Sequence, residues 1–155
     1  LGADYFVSPK TTLGVLYDGN FWGGSMGGQN NTDITSAEQT GGLTQLSNLV
    51  MNRQNQSGNF NIRHQFNEKG KEVTFDIDYS NFQNRNEQNF DTEFFGGSMA
   101  PNLIQRNITP TTIGILAGKL DFTLPVNDKM KWEYGLKSSW VETDKNFKFE
   151  QQLDG

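Results

Sequence analysis

Asp76 and Asp78 stand two residues apart, so in an extended chain both carboxylates project from one face. Paired carboxylates can divide acid and base roles between them. Here their expected neighbours are Asn59 and Asn61, and no nucleophile, base or oxyanion-hole pattern accompanies them. The pair reads as wall polarity. His64 is the only histidine and there is no cysteine, so a metal centre would lack both a second imidazole and any thiolate. Its phase places His64 on an apolar face near a short turn. The run Gly23-Gly24-Ser25-Met26-Gly27-Gly28 invites a phosphate-loop reading, but no Gly-Lys-Ser/Thr follows and no strand-to-helix pattern surrounds it. It reads as a flexible loop. The sequons at Asn30, Asn55 and Asn107 arise readily in stretches rich in Asn and Thr. The chain therefore predicts no enzyme, no cofactor and no metal site.

The elements that must position these residues are strands. From Glu72 to Ser80 the even positions are acidic or hydroxylic, while Val73, Phe75, Ile77 and Tyr79 alternate with them as an apolar face. The same alternation predicts strands at about 1–7, 11–20, 57–66, 71–82, 113–124 and 131–143, with long loops at about 21–56 and 82–112. Pairing across the turn Asn67–Gly70 sets Ile62 opposite Phe75, Asn61 opposite Asp76 and Asn59 opposite Asp78, so both faces agree on one register. Phe6 and Leu16 fall on the polar side, where they could pack on each other or on something filling the interior. Leu43, Leu46, Leu49 and Val50 lie at roughly helical spacing, so a short helix or a strand extension is expected within Gly41–Met51. The tail from Asp144 to Gly155 opens a further loop or an extended strand.

Composition narrows the use of such strands. The 155 residues are only 34% hydrophobic, with a mean hydropathy of -0.67, yet 12% are aromatic and 17 are glycine. That suits a β-protein with a large wetted interior and long surface loops better than a charge-rich disordered chain. A net charge of -5 argues against a nucleic-acid partner. No run of about 18 apolar residues exists, which excludes a transmembrane helix and leaves a β-barrel untouched. Leu1 reads as mid-strand, which predicts an interior piece of a longer secreted polypeptide, although a processed chain would read the same way.

Three short turns, near residues 8–11, 67–70 and 125–129, alternate with the two long connections. That is the pattern of outer-membrane barrels, whose short turns face the periplasm. Aromatics sit near both ends of the apolar faces: Tyr5, Phe66 and Trp132 toward the short turns, Tyr17, Tyr79 and Trp140 toward the long loops. The fold class is all-β, an antiparallel up-and-down meander of about six strands forming a sector of a larger transmembrane β-barrel. About six strands are too few to close a barrel. On this reading the lipid-facing or girdle positions are Tyr5 and Tyr17; Phe60, Ile62 and Phe66; Val73, Phe75, Ile77 and Tyr79; Leu120 and Phe122; and Trp132, Tyr134 and Trp140. The lumen-facing positions are Asp4 and Asp18; Asn59, Asn61 and Arg63; Asp76 and Asp78; Lys119 and Asp121; and Glu133 and Lys137.

Three segments, Asp4–Phe21, Asn59–Phe82 and Lys119–Phe149, resemble the outer-membrane β-barrel family attached to TonB-dependent receptors of Bacteroidota. The most telling stretch is Gly135-Leu136-Lys137-Ser138-Ser139 followed by Thr143-Asp144. The resemblance implies a nutrient importer of the cell outer membrane, closed by a plug domain and opened through a periplasmic energy-coupling protein. Partners would then be outer-membrane lipid, the plug, the remaining barrel strands and that coupling protein. The alternative is a soluble extracellular β-domain that binds glycans or partner proteins through its long loops.

Overall fold

The computed structural model describes residues 1–35, 40–96 and 100–154. Seven strands form one sheet: β1 (Gly2–Ser8), β2 (Thr11–Thr35), β3 (Thr40–Gln65), β4 (Glu72–Gly96), β5 (Asn102–Asn127), β6 (Met130–Lys145) and β7 (Lys148–Asp154). The order is β1-β2-β3-β4-β5-β6, with β7 also paired to β5. This is an all-β antiparallel meander, the form taken by a sector of a larger barrel. Strand β7 continues the path of β6: its register with β5 runs from Asn102↔Asp154 to Ile108↔Lys148, and Asn146 N–H donates to Pro110 O at 3.2 Å across the break. Lys148–Asp154 of the tail is thus strand, and the six sheet positions are filled by seven strands.

The three short turns share one device. Ser8 Oγ accepts from Lys10 N–H at 3.2 Å, Asn67 Oδ1 from Lys69 N–H at 3.1 Å, and Asn127 Oδ1 from Lys129 N–H at 2.9 Å. A short polar side chain thereby supplies the acceptor that the ladder cannot. Asn67 Oδ1 takes a second bond, from Lys71 N–H at 3.1 Å. Gly70 closes this turn at φ +86°, a conformation that costs any residue with a Cβ.

The long loops expected at 21–56 and 82–112 are mostly strand. β2 runs on to Thr35, β3 starts at Thr40, β4 reaches Gly96 and β5 starts at Asn102. Within Gly41–Met51 the chain is strand, so the helical spacing of Leu43, Leu46 and Leu49 does not form a helix. The physical reason is that these segments are rich in Gly, Asn, Gln, Ser and Thr, and their apolar residues do not alternate regularly. The hydrophobic alternation that betrays a strand is then missing, and ladder hydrogen bonds to neighbouring strands hold the extended form instead. The connections at 36–39 and 97–99 lie outside the described residues.

The chain falls into two units, Leu1–Asn20, Gln54–Phe82 and Thr112–Asp144 in the first, and Phe21–Arg53, Gln83–Thr111 and Lys145–Gly155 in the second. In the first unit one parity of every long strand is apolar: Leu13, Val15 and Tyr17; Phe60 and Ile62; Phe75, Ile77 and Tyr79; Leu116, Leu120 and Phe122; Trp132, Tyr134 and Leu136. The bands from Leu116 to Leu124 and from Trp132 to Trp140 match the 9–11 residues with which a tilted strand crosses hydrocarbon. Among the described residues no second layer covers them. Ile77 is 38% exposed, Leu120 44%, Tyr134 55% and Trp140 72%, and Ile108 is the one buried hydrophobic side chain among the described residues. In the second unit the corresponding parity of β4 reads Arg85, Glu87, Asn89, Asp91 and Glu93. The apolar band of β4 therefore does not continue into this unit.

Candidate functional site

The polar face of the first unit is a wall of paired side chains. Asn59 Nδ2 donates to Asp78 Oδ1 at 2.7 Å, and Asn61 Nδ2 to Asn59 Oδ1 at 2.9 Å. Ser80 Oγ donates to Ser57 Oγ at 3.0 Å, and Phe66 N–H to Lys71 O at 2.8 Å. These bonds follow the hairpin register read from the alternation. Arg63 Nε donates to Glu72 Oε2 at 2.7 Å, a partner the sequence did not single out. Lys119 Nζ lies 2.5 Å from Asp121 Oδ2. Asp121 and Glu133 line one shallow depression with Phe122, Thr123, Tyr134 and Gly135. Gly14 makes room for the wall: a Cβ there would stand 2.5 Å from Asn61 Oδ1 and 2.8 Å from Asp4 Oδ1. Asp4 and Asn61 thus converge over β2. Among the described residues, no hydrogen bond or ion pair ties Asp18 or Lys137 into this wall. The register sets Phe6 opposite Thr12 and Leu16 opposite Gly2, so Phe6 and Leu16 are not cross-strand neighbours.

On the other face, near the short turns, His64 Nδ1 and Thr11 Oγ1 share a hydrogen bond of 2.8 Å, its direction set by the imidazole tautomer. The His64 ring stands edge-on to Phe66 at 4.7 Å, and Phe66 is 6.2 Å from Phe122. Lys71 Nζ sits over both rings, at 5.2 Å from Phe66 and 5.7 Å from Phe122. Trp132 stacks on Tyr134 at 6.2 Å. Among the described residues no cluster of His, Cys, Asp or Glu is suited to hold a metal ion.

The second unit carries a charge ladder that the sequence reading missed. Arg106 Nη2 lies 2.6 Å from Glu87 Oε1, and its Nη1 lies 3.7 Å from Glu150 Oε2. Arg85 flanks Glu87 at 3.6 Å, and Lys148 flanks Glu150 at 2.6 Å. The hydrogen bond from Arg106 holds the Glu87 carboxyl below its ordinary 4.5; the charges of Arg106 and Arg85 add to this and desolvation opposes it. Glu150 is lowered in the same direction, first by its hydrogen bond from Lys148. The signal that could have found the ladder was the β5–β7 register, which pairs Arg106 with Glu150. Elsewhere in this unit Arg53 lies over the Trp22 ring at 5.6 Å. Gln45 Nε2 donates to Thr92 Oγ1 at 3.1 Å. The Oδ1 atoms of Asn84, Asn86 and Asn107 are buried without a hydrogen-bond donor.

An open antiparallel meander with an exposed apolar band and a hydrogen-bonded polar wall defines the class of barrel-wall proteins. Residues 64–155 match the sequence model of the outer membrane protein beta-barrel family, and the chain belongs to that family. The match places the protein in the outer membrane. It begins at His64, so the likeness noted for Asp4–Phe21 lies outside it. A search of curated proteins found no match.

Proposed function

We propose that this chain is barrel wall in a TonB-dependent outer-membrane receptor that takes up nutrients. The observation that carries the reading is the uncovered apolar band of the first unit, with Ile77, Leu120 and Tyr134 exposed. Exposed apolar surface on this scale calls for a lipid or protein cover, and the 9-residue bands suit acyl chains. The opposite face, from Asp4 to Lys137, then faces a hydrated lumen and the plug. The wall itself performs no chemistry: it holds charges and carboxamides in place for contact with plug and cargo. A periplasmic energy-coupling protein would act through other parts of the receptor.

The test is genetic and needs the whole receptor. Deleting the receptor and deleting the energy-coupling protein should produce the same uptake defect for one nutrient in a panel. A receptor deletion that lowers only passive entry of small solutes, indifferent to the coupling protein, would show a porin-like pore instead.

A further inference from the structure

All three short turns place a lysine at the same point, two residues beyond the side chain that caps the turn: Lys10 after Ser8, Lys69 after Asn67 and Lys129 after Asn127. Lys71 adds a fourth ammonium. Among the described residues none of the four has a carboxylate partner within ion-pair distance. The acidic residues in these turns are Glu68 and Asp128. Four lysines against two carboxylates make this rim cationic in a chain of net charge -5.

Two of these ammonium groups converge on one aromatic residue. Lys71 Nζ sits over the Phe66 and Phe122 rings, and Lys10 Nζ donates to Phe66 O at 3.5 Å. Lys71 thus meets ring surface with its charged head and Lys10 a backbone carbonyl beside it, and basic side chains at a lipid interface likewise hold their charge at the polar boundary. Beside them, the turns of Lys69 and Asp128 come together: a Cβ on Gly70 would stand 3.6 Å from Pro125 Cγ, and Lys69, Pro125, Val126, Asn127 and Asp128 line a depression of about 280 Å³.

We propose that this short-turn rim binds anionic phospholipid headgroups, with Lys10 and Lys71 around Phe66 as its centre. The phosphate of the headgroup lies between the two ammonium groups, and its acyl chains run along Phe66, Phe122 and the apolar band. Charge complementarity selects this occupant: ammonium groups without a carboxylate partner beside the exposed Phe66 ring suit a phosphate attached to hydrocarbon. The proposal rests on the lipid-facing reading of the apolar band.

The experiment uses the full-length receptor, released from mixed micelles of phosphatidylglycerol and phosphatidylethanolamine and weighed by native mass spectrometry. Wild type should retain phosphatidylglycerol preferentially. K10Q/K71Q should lose that retention by about tenfold or more, K10R/K71R should keep it, and K137Q/K145Q, matched in charge, should leave it unchanged. Equal retention in K10Q/K71Q and wild type, a preference for phosphatidylethanolamine, or equally tight binding of soluble glycerol phosphate would overturn the proposal. Ile77→Cys carrying a polarity-sensitive fluorophore separates the two readings. Apolar emission in liposomes with no lysine effect sinks the rim site alone, whereas aqueous emission sinks the lipid-facing reading itself.

Discussion

Asn59 and Asp78 meet across the β3–β4 hairpin, with Asn59 Nδ2 donating to Asp78 Oδ1 at 2.7 Å. The bond fixes which carboxylates share a face, because a slip of one residue would send Asp78 to the side of Phe75 and Ile77. Its own energy is small at an exposed site. Its consequence is that two adjacent residues on β4, Phe75 and Asp76, point to opposite faces of the sheet.

Phe75→Arg should therefore be costly in a membrane and harmless to the polar wall. A cation near the middle of a lipid-facing band costs about 2–4 kcal/mol. Urea titration of folding into lipid vesicles should show that loss for Phe75→Arg, and less than about 1 kcal/mol for Asp76→Arg. Equal costs would place both residues in one environment.

Asp76→Lys should act on transport instead. Reversing one charge in a hydrated mixed-charge wall changes what docks against it while leaving the strand in place. Uptake by the full-length receptor, or retention of its plug after detergent extraction, should fall several-fold. If neither changes, the wall does not contact plug or cargo at this position.

Gly70→Ala should weaken the β3–β4 turn. Alanine at φ +86° costs about 1 kcal/mol. Asn67→Ala removes the acceptor for both Lys69 and Lys71 N–H and should cost a similar amount. Either change should lower the midpoint of denaturant unfolding without moving the sheet register, which cross-linking of Ser57→Cys to Ser80→Cys would report.

The charge ladder makes the second unit acid-sensitive in a defined window. Glu87 and Glu150 have lowered folded pKa values, so their contribution to stability is fully present above the ordinary glutamate value of 4.5. It is lost as pH falls through the depressed values. Amide exchange in residues 102–108 should be unchanged between pH 7 and about pH 5.5, once corrected for intrinsic rates, and should accelerate below about pH 4.5. Arg106→Ala should flatten that dependence, and high salt should weaken it.

Glu72 to Ser80 announced its strand, its two faces and its hairpin partner without any coordinates, because lipid or core on one side and water on the other impose a period of two. The turn at Asn67–Gly70 was equally legible, since Asn and Gly have specific backbone roles there. The extent of β2, β3, β4 and β5 was not. Between Phe21 and Gln56 the apolar residues are scattered among Gly, Asn, Gln, Ser and Thr, so no period of two marks the strand, and Gly and Asn argue locally for a loop. Only the pairing of neighbouring strands, which satisfies backbone groups that a loop would leave to water, decided otherwise. The same is true of Arg106, Glu87 and Glu150: their types are ordinary surface charges, and it took the β5–β7 register to set them side by side. Sequence alone determined which side chains alternate; tertiary structure decided how far the ladder runs and which charges it aligns, because hydrogen bonding between strands is a property of pairs and not of either strand.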